Sequence, residues 1–257
     1  MRAAEWSSVI LGGLSLGGSL GAGSGLLPGG LGAGLAVGGA LSLGAMVALG
    51  SARPDLQIFG PSVLQARVPG RLVLSIDDGP HPTSTPLFLQ ALAEAGVRAT
   101  FFVLVDRALA CPDLLWAMLA GGHEIGLHGL THSARITWKN PQDSANELRR
   151  ALKLLSQYGT PPVRWYRPPF GAVSPRMYQA LQIVGLEMVW CSVRTGDGVA
   201  IPVERLRRRA EAAGDRDIVL LHDGEGPAAK LLPSLLQTWA ARGLQVGTVG
   251  EGLGVAA

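Results

Sequence analysis

The sequence predicts an α/β fold: a (β/α) barrel of about seven parallel strands, preceded by an N-terminal transmembrane helical hairpin. Three observations predict it. Strand-like and helix-like stretches alternate from residue 71 to residue 249, which implies parallel strands with helices outside; seven such units favour a barrel over an open sheet, the two that periodicity alone does not separate. The residues able to do chemistry fall at the C-terminal ends of those strands, where barrel enzymes build their sites. Finally, the run from Trp6 to Gly50 holds no charged side chain.

Taken in order, residues 1–52 form the predicted membrane segment. The apolar run is roughly twice the ~20 residues that cross a bilayer, and Leu27-Pro28-Gly29-Gly30 breaks it into spans at about 6–27 and 31–49. Gly13/Gly17, Gly21/Gly25 and Gly34/Gly38 have the spacing that lets membrane helices approach closely. The run is too long for a signal peptide, and it carries too little Ser and charge for a flexible Gly-rich linker. A lipid bilayer is therefore an expected partner. A hairpin keeps Arg2 and Arg53 on one side, which the positive-inside rule makes cytoplasmic, whereas a single tilted span places the domain outside. The two arginines leave the face open.

Residues 53–70 read as a proline-containing linker and 71–257 as the catalytic domain. Strands are predicted at 72–77, 99–104, 124–127, 163–166, 187–193, 217–221 and 244–249. Helices are predicted at 83–95, 112–120, 140–158, 174–184, 202–213 and 229–242. Asn140-Pro141 and Ser174-Pro175 each supply a capping side chain followed by a first-turn proline. Gly96 and Gly159 stop the helices before them. The formal net charge of +3 is a mild basic excess with no nucleic-acid patch, so nucleic acid is excluded as a partner. Cys111 and Cys191 follow no metal or redox spacing, and Cys191 reads as a buried thiol. The arginines at 205 and 207–209 read as a solvated helix face.

The chemistry centres on Asp77-Asp78-Gly79-Pro80 at the end of the first strand. Two adjacent carboxylates at a buried strand end are costly unless a cation or proton offsets their repulsion. His128 and His132, four residues apart, supply the means, because one helical turn aims both imidazoles the same way. With one carboxylate of the acid pair they make a two-histidine, one-carboxylate metal site that leaves positions open for water. The other carboxylate is then the natural base, His222 the candidate acid, and Arg167 a bidentate partner for the base.

The order Asp-Asp-Gly-Pro, His-x-x-x-His, Arg-Pro-Pro-Phe-Gly, Asp, Leu-x-His resembles the polysaccharide deacetylases, the chitooligosaccharide deacetylase-like family 4 of carbohydrate esterases, over about residues 71–249. The resemblance implies a distorted seven-strand barrel and a divalent metal, most commonly zinc. It assigns Asp77 as base and Asp78, His128 and His132 as metal ligands. Arg167 orients Asp77, His222 is the acid, and the main-chain N–H of Phe170, beside Pro169, helps bind the oxyanion. The chain departs from the pattern at Gly129, where Ser or Thr is usual. In the fourth motif, usually Asp-x-x-Asp-Trp, it reads Arg194-Thr195-Gly196-Asp197-Gly198. Asp197 is retained, and the loss of the tryptophan wall predicts a wider pocket. Trp138 and Trp165 are candidates for stacking on a sugar ring, against the alternative that they fill core or seal loops.

The expected activity is metal-dependent removal of N-acetyl groups from N-acetylhexosamine-containing glycans. Two alternatives are a deacetylase or deformylase of a lipid-linked amino sugar, and a non-catalytic glycan-binding membrane protein. Both proposed acid–base residues and all three ligands are kept, several of them expensive to bury, which argues against the last.

Overall fold

The computed structural model describes residues 45–51, 53–199 and 201–255. The expected membrane hairpin lies almost wholly outside them. Among the described residues no helix is long and apolar enough to cross a membrane. The candidate site residues belong to a compact unit that begins at Leu49.

In chain order the unit runs β1 (Arg71–Asp77), α1 (Thr85–Ala95), β2 (Thr100–Leu104), α2 (Val105–Ala110), α3 (Pro112–Ala120), β3 (Glu124–Gly129), α4 (Pro141–Ser156), β4 (Trp165–Tyr166), α5 (Pro175–Val184), β5 (Glu187–Met188), β6 (Val193–Arg194), α6 (Val203–Glu211), β7 (Ile218–His222), α7 (Ala228–Ala241), β8 (Gln245–Gly247) and α8 (Val249–Leu253). All strand pairings are parallel, in the order β5-β4-β3-β2-β1-β7-β6, with β8 pairing the first residues of β1. The helix starts follow from their caps: Asn140 Oδ1 accepts from the Gln142 N–H at 2.9 Å, and Ser174 Oγ from the Met177 N–H at 3.2 Å.

Each of the seven expected strands has a counterpart, but the fifth is split, and this leaves the barrel incomplete. Residues 187–194 start beside β4 and end beside β7, while 189–192 form no regular ladder with either. The reason lies in the stretch read as linker. Val63 donates its N–H to the Met188 carbonyl at 2.9 Å and accepts the Trp190 N–H at 2.8 Å, so it occupies the pairing positions a closing strand would need. The same stretch is anchored further along. Ala66 is buried in the inner core, and its N–H meets the Arg216 carbonyl at 2.8 Å.

Strand alternation decides what faces inward. In β1, Leu72, Leu74 and Ile76 join the outer core beneath the helices, leaving Val73, Ser75 and Asp77 on the inner face. In β7, Val219 and Leu221 go outward, while Ile218 and Leu220 join the inner core below His222. Phe102 fills the centre against Gly126, where any Cβ would come within 2.6 Å of its ring. The inner face is therefore apolar at the bottom and polar at the C-terminal end of the strands.

Candidate active site

A cavity of about 290 Å³ opens at that polar end, and its walls include Asp77, Asp78, His128, His132, Arg167 and His222. The two neighbouring aspartates both reach it because Asp78 is left-handed (φ 72°). In a continuing strand the second side chain would point to the opposite face. A non-glycine residue in this region is uncommon, and such strain concentrates at functional sites.

Asp77 is buried and shares the interior with Arg167, which is 1% exposed. The Arg167 Nη1 donates to Asp77 Oδ1 at 2.7 Å and to Ser75 Oγ at 2.9 Å. Its Nε reaches the Val189 carbonyl at 3.2 Å and its Nη2 the Trp190 carbonyl at 2.9 Å. The guanidinium also lies 4.2 Å over the Phe102 ring. The charge that permits Asp77 to stay buried is thus itself held at four points, two of them carbonyls of the irregular 189–192 stretch. Ser75 and these carbonyls were not predicted as site elements. The alternation that turns Asp77 inward also turns Ser75 inward, so it was legible; the carbonyls were not, because they follow from the break in the fifth strand.

Asp78 faces the histidines. Its Oδ1 lies 3.3 Å from His128 Nε2 and 3.3 Å from His132 Nε2, and all three ligand atoms lie within 4.8 Å of one another. That oxygen is buried with no hydrogen-bond partner among the described residues. A buried carboxylate oxygen without a donor, aimed at two imidazole nitrogens, fits a divalent cation held between the three. Burial opposes the charge of Asp78, but His128, His132 and His222 outweigh it and hold the carboxyl below its usual range. Burial lowers the pKa of His132, favouring the neutral imidazole that a metal needs, even though Asp78 pulls the other way.

The helical turn expected for His128 and His132 is absent. His128 belongs to β3 and His132 to the bend beyond it, and their rings stack with centroids 5.7 Å apart. The bend is made by Gly129 at φ +131°, where a Cβ would also lie 3.1 Å from the Thr131 carbonyl oxygen. A side chain at this position would be strained, which favours glycine in the loop.

Across the cavity, His222 Nδ1 lies 2.9 Å from Asp197 Oδ1, and the His222 N–H donates to Asp197 Oδ2 at 2.6 Å. Thr195 Oγ1 sits 2.7 Å from Asp197 Oδ1 and fixes it in turn. Burial works against a charged His222, yet Asp197, Asp77 and Asp78 overcome it and raise the imidazole pKa above 6.5. Asp197 contacts His222 and does not itself line the cavity.

Gly198 does not simply widen the pocket, as its small size suggests. A Cβ there would stand 2.9 Å from His222 Cε1, so the glycine lets the turn lie against the imidazole. Phe170 lines the cavity with φ 59°, its ring centroid 4.1 Å from that of His132, and its N–H meets no acceptor among the described residues. Pro169 is buried and packs toward Gly129 outside the cavity; it has no N–H to offer an oxyanion. Trp138, at the end of the short turn Ala134–Trp138, is 49% exposed and is not part of the cavity wall. Trp165 is core, its Nε1 bonded to Glu124 at 2.7 Å. Asp223 adds a support that no motif announces. It accepts hydroxyl hydrogen bonds from Ser84 (2.5 Å) and Thr85, and its N–H meets the Asp77 carbonyl at 2.8 Å, tying the acid loop to the end of β7.

Residues 66–189 match the polysaccharide deacetylase family model. The peptidoglycan-N-acetylglucosamine deacetylase of Listeria monocytogenes is 32% identical over 193 residues, 74% of this chain but 40% of that protein. The chitooligosaccharide deacetylase of Azorhizobium caulinodans is 31% identical, covering 67% of this chain and 82% of that one. A solved family 4 carbohydrate esterase from Streptomyces lividans superposes with a TM-score of 0.64 at 26% identity, over 70% of this chain and 91% of that one. This chain thus spans less than half the length of the Listeria relative, while it accounts for most of the shorter ones. On the strength of the match to the chitooligosaccharide deacetylase over four-fifths of its length, the chain belongs to the polysaccharide deacetylase family.

Proposed function

We propose that this chain is a metal-dependent hydrolase that removes the N-acetyl group from an N-acetylhexosamine of a glycan. The observation that carries the reading is one cavity holding three things: Asp77 paired with Arg167, Asp78 facing two histidines, and His222 paired with Asp197. Asp78, His128 and His132 are the residues that would hold the metal. Bound there, a divalent ion, zinc by preference, supplies Lewis-acid polarisation and a more acidic water.

The rest is done by the chain's own side chains. Asp77 takes a proton from the attacking water, and Arg167 keeps it aimed. The Phe170 N–H is a donor for the oxygen on which charge develops. As the carbon–nitrogen bond breaks, protonated His222 gives its proton to the departing nitrogen, leaving acetate and a free amine. Asp197 keeps His222 protonated and fixes its ring.

A second reading, action on a lipid-linked amino sugar with acetate or formate released, is favoured by the charge-free run from Trp6 to Gly50, from which we also infer membrane attachment. One experiment separates the readings. The zinc-loaded full chain is incubated with N-acetylated oligosaccharides and with lipid-linked amino sugars, and the acid released is identified. Acetate from the soluble glycans supports the first reading. Acid from the lipid-linked substrates alone supports the second. None from either, with the metal bound, contradicts both and favours a glycan-binding protein.

A further inference from the structure

We propose that Arg194 makes this site select glycans that carry a carboxylate beside the acetamido sugar, an inference that rests on the deacetylase reading above. Arg194 is the last residue of β6, exposed, and part of the cavity wall with His222 and Gly198. Its guanidinium lies 5.6 Å from the centre of the Trp190 ring, and the indole also lines the cavity. The aromatic face steadies the cation at the wall while leaving the edges of the guanidinium open.

Every other charged group on that wall is engaged. Arg167 serves Asp77, Asp78 serves the two histidines, and His222 is held by Asp197. Among the described residues no carboxylate lies within ion-pair distance of Arg194, and none accepts a hydrogen bond from it. Asp55 lies close enough for Arg194 to act on it, but its carboxylate is already gripped by Arg53 through contacts at 2.7 and 2.9 Å. A guanidinium with free donors on the wall of the cavity matches a carboxylate in two-point geometry. The pattern of the resembling family places an acid here, which would repel such a group. Changing the sign at one position changes both attraction and exclusion, which is how specificity is set.

The test uses the zinc-loaded full chain and two glycans of the same backbone. One is a strand of alternating N-acetylglucosamine and N-acetylmuramic acid with its peptides removed, so that the lactyl carboxylates are free. The other is that strand after reduction of the carboxylates to alcohols. The kcat/KM for acetate release should favour the acidic strand by about tenfold, in keeping with a charge-assisted contact. The preference should fall at least severalfold in Arg194→Gln, reverse in Arg194→Glu, return in part with Arg194→Lys, and weaken with added salt. A ratio near one in the wild type, or a ratio unchanged in Arg194→Gln, overturns the proposal while leaving the deacetylase reading intact. If no strand releases acetate, the deacetylase reading fails. Equilibrium binding of the two strands then decides the role of Arg194: a preference for the acidic strand lost in Arg194→Gln upholds it, and equal binding ends it.

Discussion

Asp77 and Asp78 are adjacent carboxylates turned to different partners by one backbone angle: Asp77 to Arg167, Asp78 to the two histidines. Asp77 depends on a guanidinium fixed at four points, so Arg167→Lys should not be conservative. A single ammonium cannot reach the Val189 and Trp190 carbonyls as well as Asp77. We expect kcat to fall about 10²-fold or more, together with a lower thermal midpoint, measured by kinetics and calorimetry on the same preparation. His222 gives a pH test. Its pKa is raised in the fold, so activity that needs the imidazolium is lost as pH rises through that value. Removing the charge of its partner in Asp197→Asn should move the alkaline limb of the kcat/KM profile to lower pH. By the same sign, the stabilisation from the pair is fully present below the unfolded histidine pKa of ~6.5 and disappears above the folded one. An unmoved limb would show that Asp197 does not tune His222.

The strands and their connections show which features were legible in the sequence and which were hidden. Periodicity and caps located the helices beginning at Pro112, Pro141 and Pro175 because a fixed proline and, in two cases, an oxygen acceptor mark their first turn. Alternation along β1 and β7 brought Asp77 and His222 to the inner face for the same local reason. The break at 189–192 was hidden, since it is caused by Val63 more than a hundred residues earlier. The path to His132 also differs from the expected one: a four-residue spacing suits a helix, but Gly129 takes a positive-φ turn that spacing alone does not reveal. Gly198 provides a test among these connections. In Gly198→Ala the new methyl would press on the His222 ring, which can yield only by leaving Asp197. We expect kcat to fall about tenfold or more from this displacement, with KM little changed. A change confined to KM would mean that the turn acts on substrate alone.

For the molecule as a whole, an inner core of apolar side chains ends in a polar cavity, and the ordered motifs scattered along the chain meet there because each ends or follows a strand. That convergence made the site readable as a set, even though no single motif was decisive. Pro169 and Trp138 stand outside the cavity because loop direction, not residue type, decides what reaches it. Metal binding should also be felt globally. A site filled at 100 times its dissociation constant adds about 2.7 kcal/mol, so chelation should lower the thermal midpoint by about 5–10 °C for a domain of this size. His132→Ala should abolish that response. One paired measurement decides whether Asp77 is the base beside a metal held by Asp78, His128 and His132. Free amine appearing in an N-acetylated glycan is counted over time for the wild type and for Asp77→Asn, with bound zinc quantified in each. We expect one acetate per amine from the wild type, and a variant that keeps its zinc but is slower by about 10²–10⁴-fold. Equal rates at equal metal content, or a zinc-loaded wild type that produces no amine, would contradict that role.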